Sequence, residues 1–572
     1  MQLLTNHIGY ECFGPKQAVI ANPTADASVA LLKRCQDNHT MLQLPVKACG
    51  PVAQWHTGSY AMVDFSELEA AGDYYLQVGE TLSHPFTVAE GLLMDRTFSD
   101  LLHYFKSQRC SGRFDEADRQ ALLFGSDKRI DVHGGWYDAS GDVSKYLSHL
   151  SYANFMNPQQ TPMVVWNLLE SLELVSDLPA FTQVRILDEA LFGCGFLKRL
   201  QASDGYFYMT VFDKWSKDTQ QREICAYETQ QGHKGEDYQA GFRQGGGMTI
   251  AALARAASLA NNPIYQTLYA HTAEPLSSYL SAAELGYWHL REHNRNYLND
   301  GEENILDEYC ALMAAVELYR ATEHQRYLTE ARYWSERLIA RQSSDEQQTH
   351  FWLASDTRPY FHAAEAGMPV IALIQYLKIE TDAARRTTAT EVIHNALAFE
   401  VAITGEVTNP FGYPRQYTQA VDGDKQAQFF FPHNNESGYW WQGENARVAS
   451  LATMAYLAQD LELAPELATS ARRYAADALN WIVGLNPFDM SMIDGHGHNN
   501  PDYLPDLGFY NAKGGVCNGI TSGFENENDI AFKPEGQKDD MLQNWRWGEQ
   551  WIPHGAWFLL AVAAQYKAHK NV

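Results

Sequence analysis

Near Gly91 the hydrophobic pattern of this chain changes period, and that change divides what it can fold into. Before it, short runs at 17–21, 30–32, 72–78 and 84–88 are rich in strand-forming residues and separated by turn signals. Residues two apart share a strand face, so these runs predict a small β-sandwich over residues 1–88. After it, apolar residues recur three and four apart, the spacing that lines one face of a helix. Such stretches occupy 163–175, 181–200, 248–259, 305–320, 364–378, 444–459, 466–484 and 549–567, with weaker ones at 265–282, 327–341 and 387–401. Eleven or twelve helices paired as hairpins give an all-α module over 89–572, with its site among loops rich in Gly, Asn and Asp. Periodicity alone does not distinguish a closed barrel from an open solenoid. A chain of 572 residues exceeds one ordinary core, in keeping with two domains.

Inside the helical region, Gly134-Gly135-Trp136-Tyr137-Asp138-Ala139-Ser140-Gly141-Asp142 sets two carboxylates four positions apart in a loop of glycines and aromatics. Like charges this close push one pKa upward, and a glycine between them lets the backbone aim both side chains into one cleft. The arrangement suits water handling; the plain alternative is a solvated turn or a calcium site. A third carboxylate, Glu549, sits in Gly548-Glu549-Gln550-Trp551-Ile552-Pro553-His554, just before the last apolar helix. Trp545, Trp547 and Trp551 can desolvate it and favour its protonated form. Its plain alternative is a glutamate stabilised by the dipole at a helix start.

The aspartate loop resembles the catalytic loop of glycoside hydrolase family 9, G-G-W-x-D-A-G-D, with one extra residue, Ser140, inside it. Tyr104-Phe105-Lys106-Ser107-Gln108-Arg109-Cys110 is similar to the family's aromatic-Q-R segment, and Asp188-Glu189-Ala190 leading to Gly205-Tyr206-Phe207-Tyr208 to its second hairpin. Asn480-Trp481-Ile482-Val483-Gly484-Leu485-Asn486-Pro487 is similar to the segment ending in G-x-N-P, and Gly548-Glu549 stands where the family has its N-E general acid, with glycine replacing the asparagine. Asn6-His7-Ile8-Gly9-Tyr10, Gly14-Pro15-Lys16-Gln17-Ala18 and the 72–78 strand are similar to the immunoglobulin-like domain that precedes the catalytic module in one branch of the family. The resemblance covers nearly the whole chain. It implies an N-terminal immunoglobulin-like β-sandwich followed by an (α/α)6 barrel, and an inverting hydrolase in which Asp142 is the general base, Asp138 orients the attacking water and Glu549 is the general acid. Inversion needs the acid and base about 6.5–9.5 Å apart, on opposite faces of the sugar.

Apolar faces of sugar rings lie on aromatic faces, so Trp136, Tyr137, Trp441 and Trp547 are expected to bind substrate, although most of the 14 Trp and 31 Tyr serve the core. Where the family's cellulases carry a W-G-S-N-like stretch, this chain has residues 433–447, and an H-H-R-like triplet is replaced around 494–501. Glu444, Arg447, His496 and His498 from these segments complete the expected binding set. The acids Glu436 and Glu444 favour a positively charged sugar, unless they pair with Arg447 or cap helices. The resemblance to the exo-β-D-glucosaminidase members then implies release of β-1,4-linked glucosamine from the non-reducing end of short chitosan oligosaccharides. A cello-oligosaccharide hydrolase is the alternative. His496 and His498 have the spacing to share one metal ion from an extended segment, but the sequence shows no third ligand beside them. No metal site and no cofactor are therefore expected, and loop carboxylates leave room for a structural calcium ion.

The formal charge of -27 repels phosphate, which argues against nucleic acid or an anionic membrane as partner. No run of about 18 uninterrupted apolar residues offers a membrane span, and the first residues carry neither a basic nor an apolar leader segment. The eight cysteines are scattered without a C-x-x-C pair and read as reduced thiols. A cytoplasmic enzyme acting on small soluble oligosaccharides is the expectation, with its oligomeric state left open. A Cys–His hydrolase would need a pair that the sequence does not offer, and a sugar binder without activity has no reason to keep Asp138, Asp142 and Glu549 together.

Overall fold

The computed structural model describes residues 1–229, 231–270 and 274–570. The N-terminal strands are β1 (Gln2–Leu4), β2 (Gly9–Glu11), β3 (Gln17–Ala21), β4 (Val29–Arg34), β5 (Thr40–Pro45), β6 (Lys47–Pro51), β7 (Ser59–Asp64), β8 (Gly72–Val78), β9 (Thr81–Leu82) and β10 (Phe86–Ala89). They make two sheets, β1-β3-β7-β6 and β2-β10-β8-β4-β5, with β9 added to β8. All pairs are antiparallel except β10 with β2. In β8 the buried Tyr74, Leu76 and Val78 alternate with less buried neighbours, as a strand with one covered face requires. Strand β3 differs: Ala18 and Ile20 enter the sandwich core, while Val19 on the other face joins the core of the helical domain. Burial on both faces explains why this run is continuously apolar rather than alternating.

Twelve helices of ten or more residues follow among the described residues: α1 (Leu92–Ser107), α2 (Thr161–Leu174), α3 (Ala180–Arg199), α4 (Gly247–Ala257), α5 (Leu276–Tyr297), α6 (Ile305–Thr322), α7 (Gln325–Ile339), α8 (Met368–Leu377), α9 (Ala383–Gly405), α10 (Asn445–Leu457), α11 (Pro465–Ile482) and α12 (Ile552–Lys570). The even-numbered helices pack side by side in the order α2-α4-α6-α8-α10-α12 and return to α2, so the inner ring closes. Each odd-numbered helix packs outside an inner one. This is the (α/α)6 barrel, and the sandwich-then-barrel architecture expected from the sequence holds. Inner helices are apolar all round because they touch both the barrel axis and the outer ring; Ile305 to Leu318 of α6 are buried without a break. Outer helices keep one wet face, as in α7, where Tyr327, Leu328, Ala331, Trp334 and Leu338 point inward. Helix α1 lies outside the stretches named above, although Phe98, Leu101, Leu102 and Phe105 hold the same spacing. The 265–282 stretch divides into a short helix at Pro263–Leu268 and the start of α5.

The sandwich is fastened along the barrel end of α11. Asn6 donates to the Asn480 side chain at 2.8 Å, Gln17 to Asp477 at 3.0 Å, and the His7 backbone N–H to the Val483 carbonyl at 2.9 Å. All eight cysteines are unpaired. No helix among the described residues is long and apolar enough to cross a membrane.

Candidate active site

The aspartate loop is turned by Gly134 and Gly135, whose φ of 84° and 73° a side chain would strain. It is anchored from below by a buried cation. Lys145 donates to the carbonyls of Val132 at 2.8 Å and Gly134 at 2.7 Å and pairs with Asp118 at 2.6 Å, a carboxylate shared with Arg222. Beyond the loop, the small sheet formed by Ala121–Leu123, Arg129–Ile130, Lys145–Tyr146, Thr210–Phe212 and Glu223–Ile224 fixes where it emerges.

The segment carrying Glu549 leaves a short helical turn at 545–548 and runs extended against this loop. The Ser140 N–H donates to the Gln550 carbonyl at 2.8 Å, the Gln550 N–H to Ser140 Oγ at 3.0 Å, and the Ile552 N–H to the Asp138 carbonyl at 3.0 Å. The Gly141 N–H reaches Glu549 Oε1 at 3.1 Å. Three carboxylates from residues 138, 142 and 549 are thereby collected by backbone pairing between segments more than 400 residues apart.

Their surroundings differ. Asp142 accepts from the Ser144 N–H at 2.8 Å and from the Tyr146 hydroxyl at 2.7 Å. Burial, with Asp213 nearby, still lifts its pKa to about 6, against the pull of those hydrogen bonds. Asp138 accepts from the Trp551 indole N–H at 3.1 Å; burial, then the charges of Asp142 and Glu549, hold its proton well above the usual carboxylate range. Burial and then the charge of Asp142 push Glu549 up to about 8. His149 Nδ1 lies 3.6 Å from Asp138, but burial drives its pKa down to about 3, so it stands neutral beside the acids. The site can thus keep a protonated Glu549 beside an ionised Asp142 at neutral pH, which is the pairing that acid–base hydrolysis of an acetal needs.

The binding residues expected from the sequence fare differently. Trp136 is fully buried beneath the loop, with its N–H directed at Glu189, and Trp547 is fully buried, donating to Thr521 Oγ1. Neither offers a face to a sugar; both support the loops that carry the carboxylates. Glu444 and Arg447 form a buried ion pair at 2.5 Å, with Glu444 also holding the Phe431 N–H and Gln416. They order the start of α10 rather than meet substrate, because a buried charge is stable only when paired. Glu436 pairs with Arg358 through two contacts, one at 2.8 Å. His496 bonds Asp100 at 2.9 Å and His498 bonds Asp489 at 3.1 Å, both on the seam with the sandwich. Tyr137 is half-buried and bonds the Ser111 backbone, and Trp441 is stacked on His433 with ring centroids 4.0 Å apart.

Residues 95–513 match the model of "Glycosyl hydrolase family 9" and residues 2–83 that of "Cellulase N-terminal ig-like domain". The chain belongs to glycosyl hydrolase family 9. It is therefore an O-glycosyl hydrolase built on the family's barrel. The match ends before Glu549, whose place in the site rests on the geometry above. A metagenome-derived family 9 endoglucanase is 20% identical over 99% of both chains with a TM-score of 0.68. A family 9 protein of Bacteroides ovatus is 18% identical over 99% of both chains, TM-score 0.67, and an endoglucanase of Alicyclobacillus acidocaldarius 17% identical over 99% of both, TM-score 0.64. Identities this low speak to the fold. No curated protein matches the chain.

Several residues around the three carboxylates carry no sequence signal of their own. Tyr146 and His149 follow Asp142 closely and could have been suspected from position. Tyr503, whose hydroxyl is 3.5 Å from Glu549, and Asp213, which accepts from Ser144 Oγ at 2.9 Å, are brought in only by the fold. An aromatic wall of Tyr146, Phe212 and Tyr227, edged by Trp215, borders Asp142.

Proposed function

We propose that this family 9 hydrolase cleaves β-1,4-linked glucan oligosaccharides with inversion. Water held by Asp142 and Asp138 attacks the anomeric carbon and gives its proton to Asp142. As the bond to the glycosidic oxygen breaks, Glu549 protonates that oxygen. The water oxygen enters opposite the leaving group, so a β-link yields an α-anomer. The observation that carries this reading is the zipper between the aspartate loop and the Glu549 segment, which brings together a carboxyl inclined to keep its proton and one inclined to lose it. That two of the similar structures are endoglucanases supports a glucan as substrate.

The amino-sugar reading loses its main support, since Glu436 and Glu444 are neutralised by Arg358 and Arg447. One observation still favours it: among the described residues no Lys or Arg forms an ion pair with Asp138, Asp142 or Glu549, Lys217 acting on Glu549 only at longer range, so the ionised Asp142 is left to attract an ammonium group. Cello-oligosaccharides, N-acetylchitobiose and the glucosamine disaccharide assayed side by side decide between them. Faster turnover of cello-oligosaccharides is expected, with the α-anomer seen first by proton NMR. Cleavage of the glucosamine disaccharide alone would install the second reading, and a β-anomer first would remove Asp142 as base.

A further inference from the structure

At the seam between sandwich and barrel, three side chains converge that the reaction does not use. His7, on the turn between β1 and β2, places Nε2 2.9 Å from Asp489 Oδ1, and His498 places its own Nε2 3.1 Å from Asp489 Oδ2. Asp489 and His498 both lie on the loop after α11. One donor atom from each residue lies within 4.8 Å of the others, and no second grouping of this kind occurs among the described residues. We propose that His7, Asp489 and His498 bind one divalent transition-metal ion of zinc type, which clamps the sandwich to the barrel.

The donors fit such an ion. Around tetrahedral zinc, nitrogen and oxygen ligands at about 2.0–2.2 Å stand roughly 3.3 Å from one another; the two imidazole–carboxylate spacings here are 2.9 and 3.1 Å, and all three donors lie within 4.8 Å. Two imidazoles and one carboxylate are a borderline set that suits zinc, whereas calcium and magnesium prefer oxygen throughout. The His7 side chain is wholly buried, and its ring is held from two sides. A Cβ on Gly484 would come within 2.2 Å of it and one on Gly497 within 2.6 Å, and both glycines have positive φ. Its Nδ1 is buried without a hydrogen-bond partner, and ligation through Nε2 places the ring proton there, a cost that the metal bond must exceed. His498 stacks between His7 and His84, with centroids 3.6 and 3.8 Å away, which fixes its ring plane. Gln2 donates to Asp489 Oδ2 at 2.9 Å, the outer contact that typically orients a ligating carboxylate. His498 and Asp489 are partly exposed, so water can complete the coordination. His496, the other histidine of the His-x-His pair, is engaged by Asp100, and the donors that join His498 come from positions 7 and 489.

Because His7 belongs to the sandwich and the other two to the barrel, the ion would stabilise the docked fold by binding only to it. The test takes the full chain stripped with a chelator, titrates Zn2+, measures bound metal after desalting and follows the melting temperature. Wild-type protein is expected to keep one Zn2+ per chain and to melt higher with it. His498→Ala should bind at least about 100-fold more weakly and lose the melting shift, since one of three protein ligands is gone. His496→Ala should keep both properties. If His498→Ala fails to fold, the near-isosteric Asp489→Asn serves instead. Wild-type protein that retains no Zn2+, His498→Ala or Asp489→Asn binding Zn2+ like wild type, or equal binding of Ca2+ would each overturn the proposal.

Discussion

Ser140 and Gln550 exchange two hydrogen bonds, one between backbones at 2.8 Å and one from the Gln550 N–H to Ser140 Oγ at 3.0 Å. The residue that interrupts the family's D-A-G-D pattern is therefore the one that docks the segment carrying Glu549. Ser140→Ala leaves the Gln550 N–H without its acceptor, a loss worth about 1–3 kcal/mol for a buried donor. Because the strain falls next to Glu549, the prediction is a fall in kcat of about tenfold, roughly 1.4 kcal/mol of barrier, with a smaller change in KM. Steady-state kinetics on a soluble oligosaccharide checks it; unchanged kcat would show that the backbone pair alone suffices.

Glu549→Gln and Asp142→Asn remove the proton donor and the proton acceptor of the proposed mechanism while keeping shape. Each is expected to lower kcat by about 10²–10⁴-fold, the usual worth of a positioned acid or base. Asp138→Asn should also be severe. Circular dichroism alongside the assay separates this from unfolding. Activity above about a tenth of wild type in Glu549→Gln would give the acid role to another group.

Much of this was legible before the fold was known, and the limits have physical reasons. Helices, sandwich and aspartate loop are local patterns, so they survive in one sequence. Partner choice is not local. Glu444 and Arg447 stand three apart on one helix start, a spacing that hints at their pairing, but Glu436 meets Arg358 from 78 residues away. Trp136 and Trp547 are expected at the substrate because sugar rings lie on aromatic faces, yet both are buried, with their N–H groups on Glu189 and Thr521. His7 and His498 are joined only because the sandwich docks on the loop after α11.

Gly141 is kept small by its neighbours. A Cβ there would lie 2.4 Å from Glu549 Oε1 and 2.7 Å from the Tyr503 hydroxyl. Both are side-chain tips that can move aside, so Gly141→Ala is expected to fold with nearly the wild-type melting temperature. The displaced Glu549 should nonetheless cost at least about tenfold in kcat, since misplacing a catalytic group by about 1 Å costs that or more. A variant as active as wild type would mean that Glu549 works from another rotamer.

The two perturbed carboxyls set the pH dependence. In the proposed mechanism Asp142 acts ionised, and its pKa is lifted to about 6, so activity should rise as pH climbs through that value. Glu549 acts protonated and titrates at about 8, so activity should fall above it. A bell in kcat/KM with its top near neutrality follows, and such limbs report the free enzyme. A rate still climbing well above the upper limb would contradict a protonated Glu549.

Stability should follow a different group. Glu365 is buried within the barrel, accepting from the Tyr309 hydroxyl at 2.5 Å and the Gln159 N–H at 2.9 Å. Burial raises its pKa from 4.5 to about 8. An acid whose folded pKa is raised keeps its proton after the unfolded chain has lost it, so its contribution is full below the ordinary value and disappears as pH rises through the folded one. The chain is therefore predicted to lose stability steadily between about pH 5 and about pH 8. Glu400 and Asp477, each raised to about 7, act in the same direction. Glu365→Gln cannot ionise; its amide oxygen can accept from the Gln159 N–H while its NH2 group donates to the Tyr309 hydroxyl oxygen, so it should flatten part of that decline and gain on the wild type most at alkaline pH. Urea midpoints across this range measure the effect; parallel curves for the two proteins would mean that Glu365 is already ionised in the fold.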